Sequence, residues 1–380
     1  MRMKKLMILA VAAIALAACS KTFDTHHHGN EGKAIGFGTW TEKLTKHTQG
    51  LSTGDEGFAW NVNDNFIVSG FKTVGTGEGA ANTNVFANQL VEYKGGTPTW
   101  TYAPKRLWDP AAASYTFYAI SPGKINDSDI ATLDASAGTV TNCQTITFAG
   151  NNNDILVASK EPVSNTGGNF NNYHTVDLKF NHIAALFDLK VKKHNNLSSA
   201  TVNVTGIELL NLKNQGTFAI SGYDGSTNKP SVTWSASGSA NYTSTSGVTS
   251  IPCTADNPVE ATTDGALVIN KLIVVPDYSF TSTGTANNSN TSDQLVKISY
   301  TINYTTPAAE TITHNNVYFF LKAFDTTDND TVNNDPSEIG SWLAGKHYTY
   351  FITIDAHTIE FTASVNNWVT GDTGYHYLVD

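Results

Sequence analysis

The stretch KAIGFGTW, residues 33–40, places Ile35 and Phe37 on one side of an extended chain and two glycines on the other. This alternation predicts a β-strand with one buried face. Similar runs follow, separated by turn residues, at 65–71, 89–93, 99–103, 115–120 and 154–158. Between them, residues 127–133 could form a turn or two of helix. Many short strands with intervening turns indicate an all-β fold, a sandwich or a barrel.

A loop rich in glycine and asparagine, NTGGNFNN at residues 165–172, precedes a second set of longer strands. These predicted strands are 174–180, 183–192, 202–212, 267–275, 296–304, 317–323, 348–354 and 358–365. The chain is longer than one hydrophobic core usually organises. We therefore predict two tandem antiparallel β-sandwich domains, of transthyretin-like or Greek-key type, at residues 33–172 and 173–380. The Ser/Thr/Gly-rich sequence from Ser221 to Asn257 predicts a long surface excursion.

The start of the chain has the layout of an export signal. Residues 1–18 are predicted to be a signal peptide, because three basic residues precede an unbroken apolar run of 13 residues. That run is shorter than the roughly 20 residues that cross a bilayer as a helix. It ends in Leu16-Ala17-Ala18-Cys19, which resembles the lipobox of bacterial lipoproteins, so Cys19 is the predicted lipidation site. Residues 19–32 are then predicted to form a lipidated, flexible tether to the outer membrane. An ordinary secretory signal that ends near a cysteine is the alternative.

The composition excludes several classes of function. A formal net charge of −10 argues against a nucleic-acid partner. Charged residues are only 15% of the chain, which suits an exported β-protein with polar, uncharged faces. The sequence has no Gly-x-Ser-x-Gly elbow, no HExxH helix and no phosphate-binding glycine loop followed by lysine. We therefore predict no enzyme, no catalytic residue and no cofactor.

Two polar stretches raise the question of a metal site. Three histidines lie together at residues 26–28, and DTTDND at residues 325–330, followed by Asp335, is rich in carboxylates. Neither stretch has the ligand spacing of a zinc site or an EF-hand loop, so no metal site is predicted. Cys143 and Cys253 are predicted to be two buried thiols, with a disulfide between them as the alternative.

Three stretches together resemble one family of surface proteins. They are WTYAPKRLW (100–108) followed by YTFYAISP (115–122), LKFNHIAAL (178–186), and AGKHYTY (344–350). Their order and spacing are similar to those of the fimbrillin-type pilins of Bacteroides and related bacteria, the subunits of type V pili. The aromatic residues in these stretches would also serve as the core of any large β-sandwich. The resemblance therefore bears on fold and assembly rather than on chemistry.

The resemblance implies a route of assembly. In this family a lipoprotein precursor reaches the outer membrane, where a trypsin-like protease cuts it after the first strand. The removable strand would contain Ile35 and Phe37, and the cut would follow Lys46 or, less in keeping with the family pattern, Lys43. The family usually has arginine at this site, whereas Arg106 is the single arginine after the leader. A protease that accepts lysine, or an uncut anchor or terminal subunit, would account for the difference.

The resemblance also implies partners. Loss of the first strand leaves a groove, which an extended segment of another pilin subunit fills by strand addition. In this sequence Tyr375, Tyr377 and Val379 alternate in the C-terminal tail and could form the donor strand. The same tail could instead pair within its own domain. The implied location is the cell surface, in a fimbrium that supports adhesion to host glycans or proteins.

A surface lipoprotein that binds glycans without polymerising is the alternative function. Envelope β-sandwiches often present aromatic side chains to sugars, so this reading requires exposed aromatic residues on loops. The candidates for such a platform are Trp60, Trp100 and Trp234.

Overall fold

The structure is a computed structural model, and it confirms the prediction of an all-β fold. It describes residues 34–41, 64–77, 80–95, 100–125, 129–136, 139–148, 154–165, 170, 175–224, 229–244, 266–323, 340–356 and 359–367. Within these ranges, two three-residue 3₁₀ helices lie at Asn195–Leu197 and Leu321–Ala323. No helix in the described part of the chain is long and apolar enough to span a membrane.

Strands account for most of the described residues. In chain order they are β1 Gly36–Thr41, β2 Asn65–Val74, β3 Ala81–Tyr93, β4 Trp100–Thr101, β5 Ala112–Ser121, β6 Lys124–Ile125, β7 Asp129–Ile130, β8 Leu133–Ser136, β9 Thr139–Cys143, β10 Ile146–Thr147, β11 Leu156–Ser164, β12 Thr175–His182, β13 Ala185–Lys193, β14 Ala200–Leu212, β15 Gln215–Asp224, β16 Lys229–Ser237, β17 Ala240–Thr243, β18 Ala266–Val274, β19 Leu295–Tyr304, β20 Glu310–Phe320, β21 Lys346–Ile354 and β22 Ile359–Asn367. The helical turn predicted over 127–133 is wrong, because β7 and β8 occupy that region. The surface excursion predicted from Ser221 is also wrong in part, since β16 and β17 lie within it.

A seven-stranded sheet forms the first structural unit, in the order β1-β12-β11-β5-β2-β3-β4. The sheet curls until its two end strands, β1 and β4, lie beside each other. An antiparallel bridge between Ala34 and Leu107 closes the gap just beyond these strands. The interior is filled largely by aromatic side chains, among them Phe66, Phe86 and Phe117. Because each aromatic side chain buries a large area, these rings supply much of the packing inside the curled sheet.

The opposite face of β2 and β5 packs on a five-stranded sheet. That sheet has the order β10-β15-β9-β8, with β16 paired to the other edge of β15. Ile67 and Ile120 from the curled sheet meet Phe218 and Trp234 in the cluster between the two sheets. Alternate residues of a strand point to opposite faces, which is how β2 and β5 supply both the curled interior and this second cluster.

Two four-stranded sheets form a sandwich in the C-terminal half. Their orders are β18-β13-β21-β22 and β17-β14-β19-β20. Phe187, Trp342, Tyr348 and Tyr350 are fully buried between them. Leu186, on the opposite face of β13, belongs to the cluster that covers the five-stranded sheet, so β13 contributes side chains to both of these cores.

The sheets do not follow the predicted division of the chain at residues 172/173. This point falls between β11 and β12, which are adjacent antiparallel strands of the curled sheet. Strand β15 also lies beyond it in sequence, yet it pairs with β9 and β10, and β16 joins the same sheet through β15. Two pairings differ from the antiparallel prediction, because β1 runs parallel to β12 and β13 runs parallel to β21.

The loop before β19 is organised by the carboxylate of Asp293. This carboxylate accepts hydrogen bonds from Gly284 N at 2.7 Å, Asn290 Nδ2 at 2.9 Å, and both the amide and the hydroxyl of Thr283. These donors, the Asn290 side chain above all, hold the pKa of Asp293 well below its usual range. Asp293 is almost fully buried, so the ionised carboxylate is a structural element of the loop.

We predict that Asp293 makes the stability of this loop dependent on pH. A carboxyl whose pKa is lowered by folding stabilises the native state above its unfolded pKa, near 4, and loses this contribution as the pH falls towards the folded value. Asp293→Asn should therefore lower stability at pH 7 by about 2 kcal/mol and flatten the loss of stability below pH 4. Chemical denaturation at pH 7, 4 and 3 measures both effects. Equal acid sensitivity of the two proteins would contradict this assignment.

Candidate functional site

The candidate site is the position of β1 in the curled sheet, which we call the β1 slot. Its base is formed by Phe66, Phe86 and Phe117, and its two edges are β12 and the segment 102–107. Inside the slot, Ile35, directly before β1, is 1% exposed, and Phe37 of β1 is 6% exposed. The buried face that the alternation of residues 33–40 predicted is therefore the one that fills the slot.

Phe37 makes the densest contacts in the slot. Its ring centroid lies 5.5 Å from that of Phe86, 5.7 Å from Tyr102, 5.9 Å from Phe66 and 6.1 Å from Phe117, all in edge-to-face arrangements. Such arrangements are favoured by the quadrupoles of aromatic rings. The slot is therefore an aromatic pocket that fits one planar side chain at this position.

The first edge of the slot is a regular parallel ladder. Residues from Gly36 to Thr41 of β1 align with residues from Thr175 to Phe180 of β12, so that Phe37 stands beside Val176. Val176 is buried and points into the same interior. Parallel ladders space their hydrogen bonds evenly, so the main-chain hydrogen bonding is the same along the whole of this edge.

The second edge is irregular and combines main-chain and side-chain groups. The amide of Ile35 donates to the carbonyl oxygen of Arg106 at 2.8 Å. The hydroxyl of Tyr102 donates to the carbonyl oxygen of Ile35 at 2.6 Å. The same hydroxyl lies 3.3 Å from the amide of Arg106, from which it can accept. Burial raises the pKa of Tyr102, so the hydroxyl keeps its proton and remains a donor.

Contacts away from β1 hold the second edge in place. Lys72 Nζ lies 2.6 Å from Asp109 Oδ2, and this hydrogen bond is the main reason that the pKa of Asp109 is lowered. The hydroxyl of Tyr115 accepts a 2.7 Å hydrogen bond from the Asp109 amide. Trp108 stacks on Phe170 with 5.2 Å between centroids and 7° between planes. The edge is thus fixed by residues that do not belong to β1.

A glycine sets the depth of the slot. A Cβ atom at Gly70 would lie 2.9 Å from ring atoms of both Phe86 and Phe117. These two rings form part of the pocket for Phe37, so a larger residue here would push them towards β1.

We predict that Gly70→Ala destabilises the protein by about 1–3 kcal/mol, the usual cost of overpacking. The displaced rings should also loosen β1, which hydrogen exchange of the amides at 35–38 would detect. Gly222→Ala is the matched control, because a Cβ at Gly222 would meet nothing within 4 Å. Equal exchange of β1 in the two variants would argue against a role for Gly70 in shaping the slot.

The structure places two of the predicted site residues, Ile35 and Phe37, in the slot. Several other positions singled out from the sequence lie outside the described residues: Cys19, Lys43, Lys46, Tyr375, Tyr377, Val379, Cys253, Trp60, the histidines at 26–28 and the acidic run at 325–330 with Asp335. Cys143 is buried, and its pKa is raised to about 11 by burial. The slot also uses Tyr102 and the main chain of Arg106, which sequence analysis did not single out as site residues.

The glycan-binding alternative requires exposed aromatic side chains, and this prediction is wrong for two of its three candidates. Trp100 is 6% exposed and lies in the curled interior, with its ring 4.8 Å from that of Phe66. Trp234 is 5% exposed and donates a 2.6 Å hydrogen bond to the carbonyl oxygen of Ile183. Both side chains therefore serve the core.

Two histidines in the stretches that carry the family resemblance are buried beside aspartates. His182 Nδ1 lies 2.7 Å from Asp154 Oδ2, and His347 Nε2 lies 2.9 Å from Asp188 Oδ2. Asp188 Oδ1 also accepts a hydrogen bond from the amide of Lys271. These pairs tie neighbouring strands together. Among the described residues, no three His, Cys, Asp or Glu side chains are grouped as a metal ion requires.

Comparisons with known proteins agree with this fold. The family profile described as fimbrillin-like matches residues 51–368, which is most of the chain. Fimbrium subunit Fim1C of Phocaeicola vulgatus is 25% identical over 220 residues, and the match covers 54% of this chain and 56% of that protein. The chain thus spans about half the length of this curated relative.

A solved structure has a similar fold. The crystal structure of a fimbrial protein from Bacteroides vulgatus superposes with a TM-score of 0.52 and 19% identity, over 89% of this chain and all of that one. The fimbrillin-like family is one of fimbrial structural proteins, not of enzymes. Because the family profile extends over most of its length, this protein belongs to the fimbrillin-like family.

Proposed function

We propose that the protein is a fimbrial subunit of the cell surface that polymerises by exchange of β1 for a strand of another subunit. It would be exported as a lipoprotein through Cys19, cut after β1, and joined to its neighbour through the emptied β1 slot. The observation that carries this proposal is that β1 is an end strand of its sheet whose side chains fill a pocket built almost wholly by other elements.

The position of β1 suits removal and replacement. Within the described residues, β1 forms a ladder with β12 alone, and its other side faces β4 and the short segment before Trp108. Pre-organisation of a binding site lowers the cost of ordering it on binding. Since Lys72, Asp109, Tyr115 and Phe170 hold that segment from outside β1, the slot is suited to receive another strand.

The energetics favour a durable joint. Burial of two large apolar side chains at the positions of Ile35 and Phe37 contributes about 3–6 kcal/mol in total. Main-chain pairing with β12 adds register and affinity. A filled slot also covers a sheet edge that would otherwise promote aggregation.

The sequence supplies a site for the cut and a strand for the exchange. Lys43 and Lys46 follow β1 directly, so a trypsin-like protease that accepts lysine could release it. The alternating Tyr375, Tyr377 and Val379 match the apolar spacing of β1 and make the C-terminal tail the proposed donor. The proposed partners are therefore other pilin subunits, the processing protease and the outer membrane.

The proposal is tested by the N-terminal sequence and intact mass of protein from the cell surface, compared with the whole-membrane pool. We expect a surface form that begins at or near His47 and runs as a heat-resistant ladder. Combined Lys43→Ala and Lys46→Ala substitutions should abolish the processed surface form and the ladder. Lys322→Ala, at an exposed lysine after β20, should leave both unchanged. A surface form that retains acylated Cys19 and never forms ladders would exclude a polymerising shaft subunit.

A further inference from the structure

We propose that the strand which replaces β1 lies in the β1 slot in the reverse direction, so that it runs antiparallel to β12. The inference rests on the proposed exchange of β1 for the C-terminal tail and adds the direction of the incoming strand. Its basis is the order of the inward-facing side chains. The native occupant has an aliphatic residue before an aromatic one, Ile35 and Phe37, whereas the tail has the aromatic Tyr377 before the aliphatic Val379.

The slot has two unequal places for inward-facing side chains. The first place holds Ile35, which is 1% exposed and is held by hydrogen bonds to Arg106 and Tyr102 on the second edge. The second place holds Phe37, whose ring centroid lies 5.5–6.1 Å from those of four other aromatic rings. A larger residue would overpack the first place, and an aliphatic residue would leave a cavity in the second. The slot therefore favours an occupant with an aliphatic residue at the first place and an aromatic residue at the second.

The tail meets both requirements in one alignment only. With its apolar face turned inward and its direction parallel to β12, a tyrosine at the second place brings either Tyr375 or Thr373 to the first. In the antiparallel direction, Tyr375 at the second place would bring a further tyrosine to the first. Tyr377 at the second place instead brings Val379 to the first. This antiparallel alignment is the one that puts an aliphatic and an aromatic residue where the slot requires them.

The outer face of the slot favours the same alignment. A Cβ atom at Gly38 would touch Asp177 Oδ1 and would lie 3.0 Å from Thr175 Cγ2, so these two side chains of β12 border the outer face. Asp177 is exposed, so its side chain can rotate to make room for a larger residue. The antiparallel alignment brings His376 to the place of Gly38, where the imidazole can donate to the carboxylate. A parallel strand with the same tyrosine at the second place would bring the apolar Leu378 there.

The reversal also favours the incoming strand over β1. Gly36–Thr41 pairs with β12 in parallel, and parallel pairing is slightly less stable per residue than antiparallel pairing. An antiparallel replacement therefore gains in its main chain, which offsets the smaller side chain of Val379 in the place of Ile35. The body of the neighbouring subunit would then lie beyond the Thr41 end of the slot, where β1 leads to the proposed cut.

The test uses the mature chain from Ser20 with a site for a sequence-specific protease inserted between residues 50 and 51. After the cut, release of a fluorescent N-terminal fragment reports exchange for added peptide. Two peptides of residues 371–380 carry one cysteine each, introduced by His376→Cys or by Leu378→Cys. Two protein variants carry a partner cysteine on β12, introduced by Asp177→Cys or by Thr175→Cys. Both replaced residues are exposed, so each variant is the matched control of the other.

We expect a disulfide between position 376 of the peptide and position 177 of the protein, and another between positions 378 and 175. Residues directly opposite each other on antiparallel strands lie within the Cα distance that a disulfide requires, whereas diagonal neighbours lie roughly 7–8 Å apart. The two expected pairs should therefore form about tenfold faster than the pairs 376–175 and 378–177. Reaction of the same peptides with the protein that lacks an added cysteine measures the contribution of the native thiols.

The outcomes separate the inference from the proposed function. Faster formation of the pairs 376–175 and 378–177 would show a parallel occupant, and equal formation of all four pairs would show no preferred direction. Either result overturns the inference while strand exchange stands. If a peptide of residues 33–41 displaces the fragment and no tail peptide does, the tail is not the donor and the inference fails. If neither kind of peptide displaces the fragment, strand exchange itself fails.

Discussion

Replacement of Phe37 by alanine is expected to lower the free energy of unfolding by about 3–5 kcal/mol, the usual range for a buried phenylalanine. The side chain is 6% exposed and meets four other aromatic rings, so its loss removes both buried area and edge-to-face contacts. The cavity cannot close readily, because the surrounding rings are held by β2, β3 and β5. Denaturant unfolding of the mature chain measures the loss.

The location of the effect distinguishes the slot from the general core. Phe280→Ala, in the C-terminal sandwich, should cost a similar amount of stability, since Phe280 is 3% exposed. Hydrogen exchange of the β1 amides should rise steeply in Phe37→Ala and remain nearly unchanged in Phe280→Ala. If both variants release β1 equally, then β1 is not held by the pocket around Phe37.

Replacement of Asp188 by alanine is the second large effect, about 3–5 kcal/mol. The carboxylate is 8% exposed and contacts the His347 ring at 2.9 Å and the amide of Lys271. It therefore joins β13 to both of its neighbours, β21 and β18. Its removal leaves the buried His347 ring and the half-buried amide of Lys271 without this partner.

Chemical denaturation measures this loss, and Glu310→Ala is the control. Glu310 is exposed at the start of β20, so its removal should change stability by less than about 0.5 kcal/mol. A loss below about 1 kcal/mol for Asp188→Ala would show that the contact with His347 is of little structural importance.

Sequence analysis predicted those elements whose signal is local. The alternation of residues 33–40 predicted β1 and its buried face, because period two is visible within a few residues. The partner of β1 could not be predicted, because parallel pairing with β12 joins segments that are distant in sequence and leaves no local mark. The same reason explains why β15 and β16 were not assigned to the sheet that contains β9 and β10.

The candidate site was predictable only in its apolar part. Ile35 and Phe37 stood out by hydrophobicity, whereas the role of Tyr102 depends on a hydrogen bond to a residue 67 positions away. Trp234 shows the opposite error. Its Ser/Thr/Gly-rich context suggested a surface loop. The segment is instead a strand with alternating exposure, in which the indole of Trp234 is buried and hydrogen bonded.

The pairing of β1 with β12 has a consequence for the order of folding. Gly36 aligns with Thr175, about 140 residues later, and contacts at such separation form slowly. The chain is made from its N-terminus, so β1 is synthesised early but must wait for its neighbour in the sheet. The hairpin of β2 and β3 joins strands close in sequence, so it can form without β1. The strand that closes the curled sheet is therefore among the last to dock.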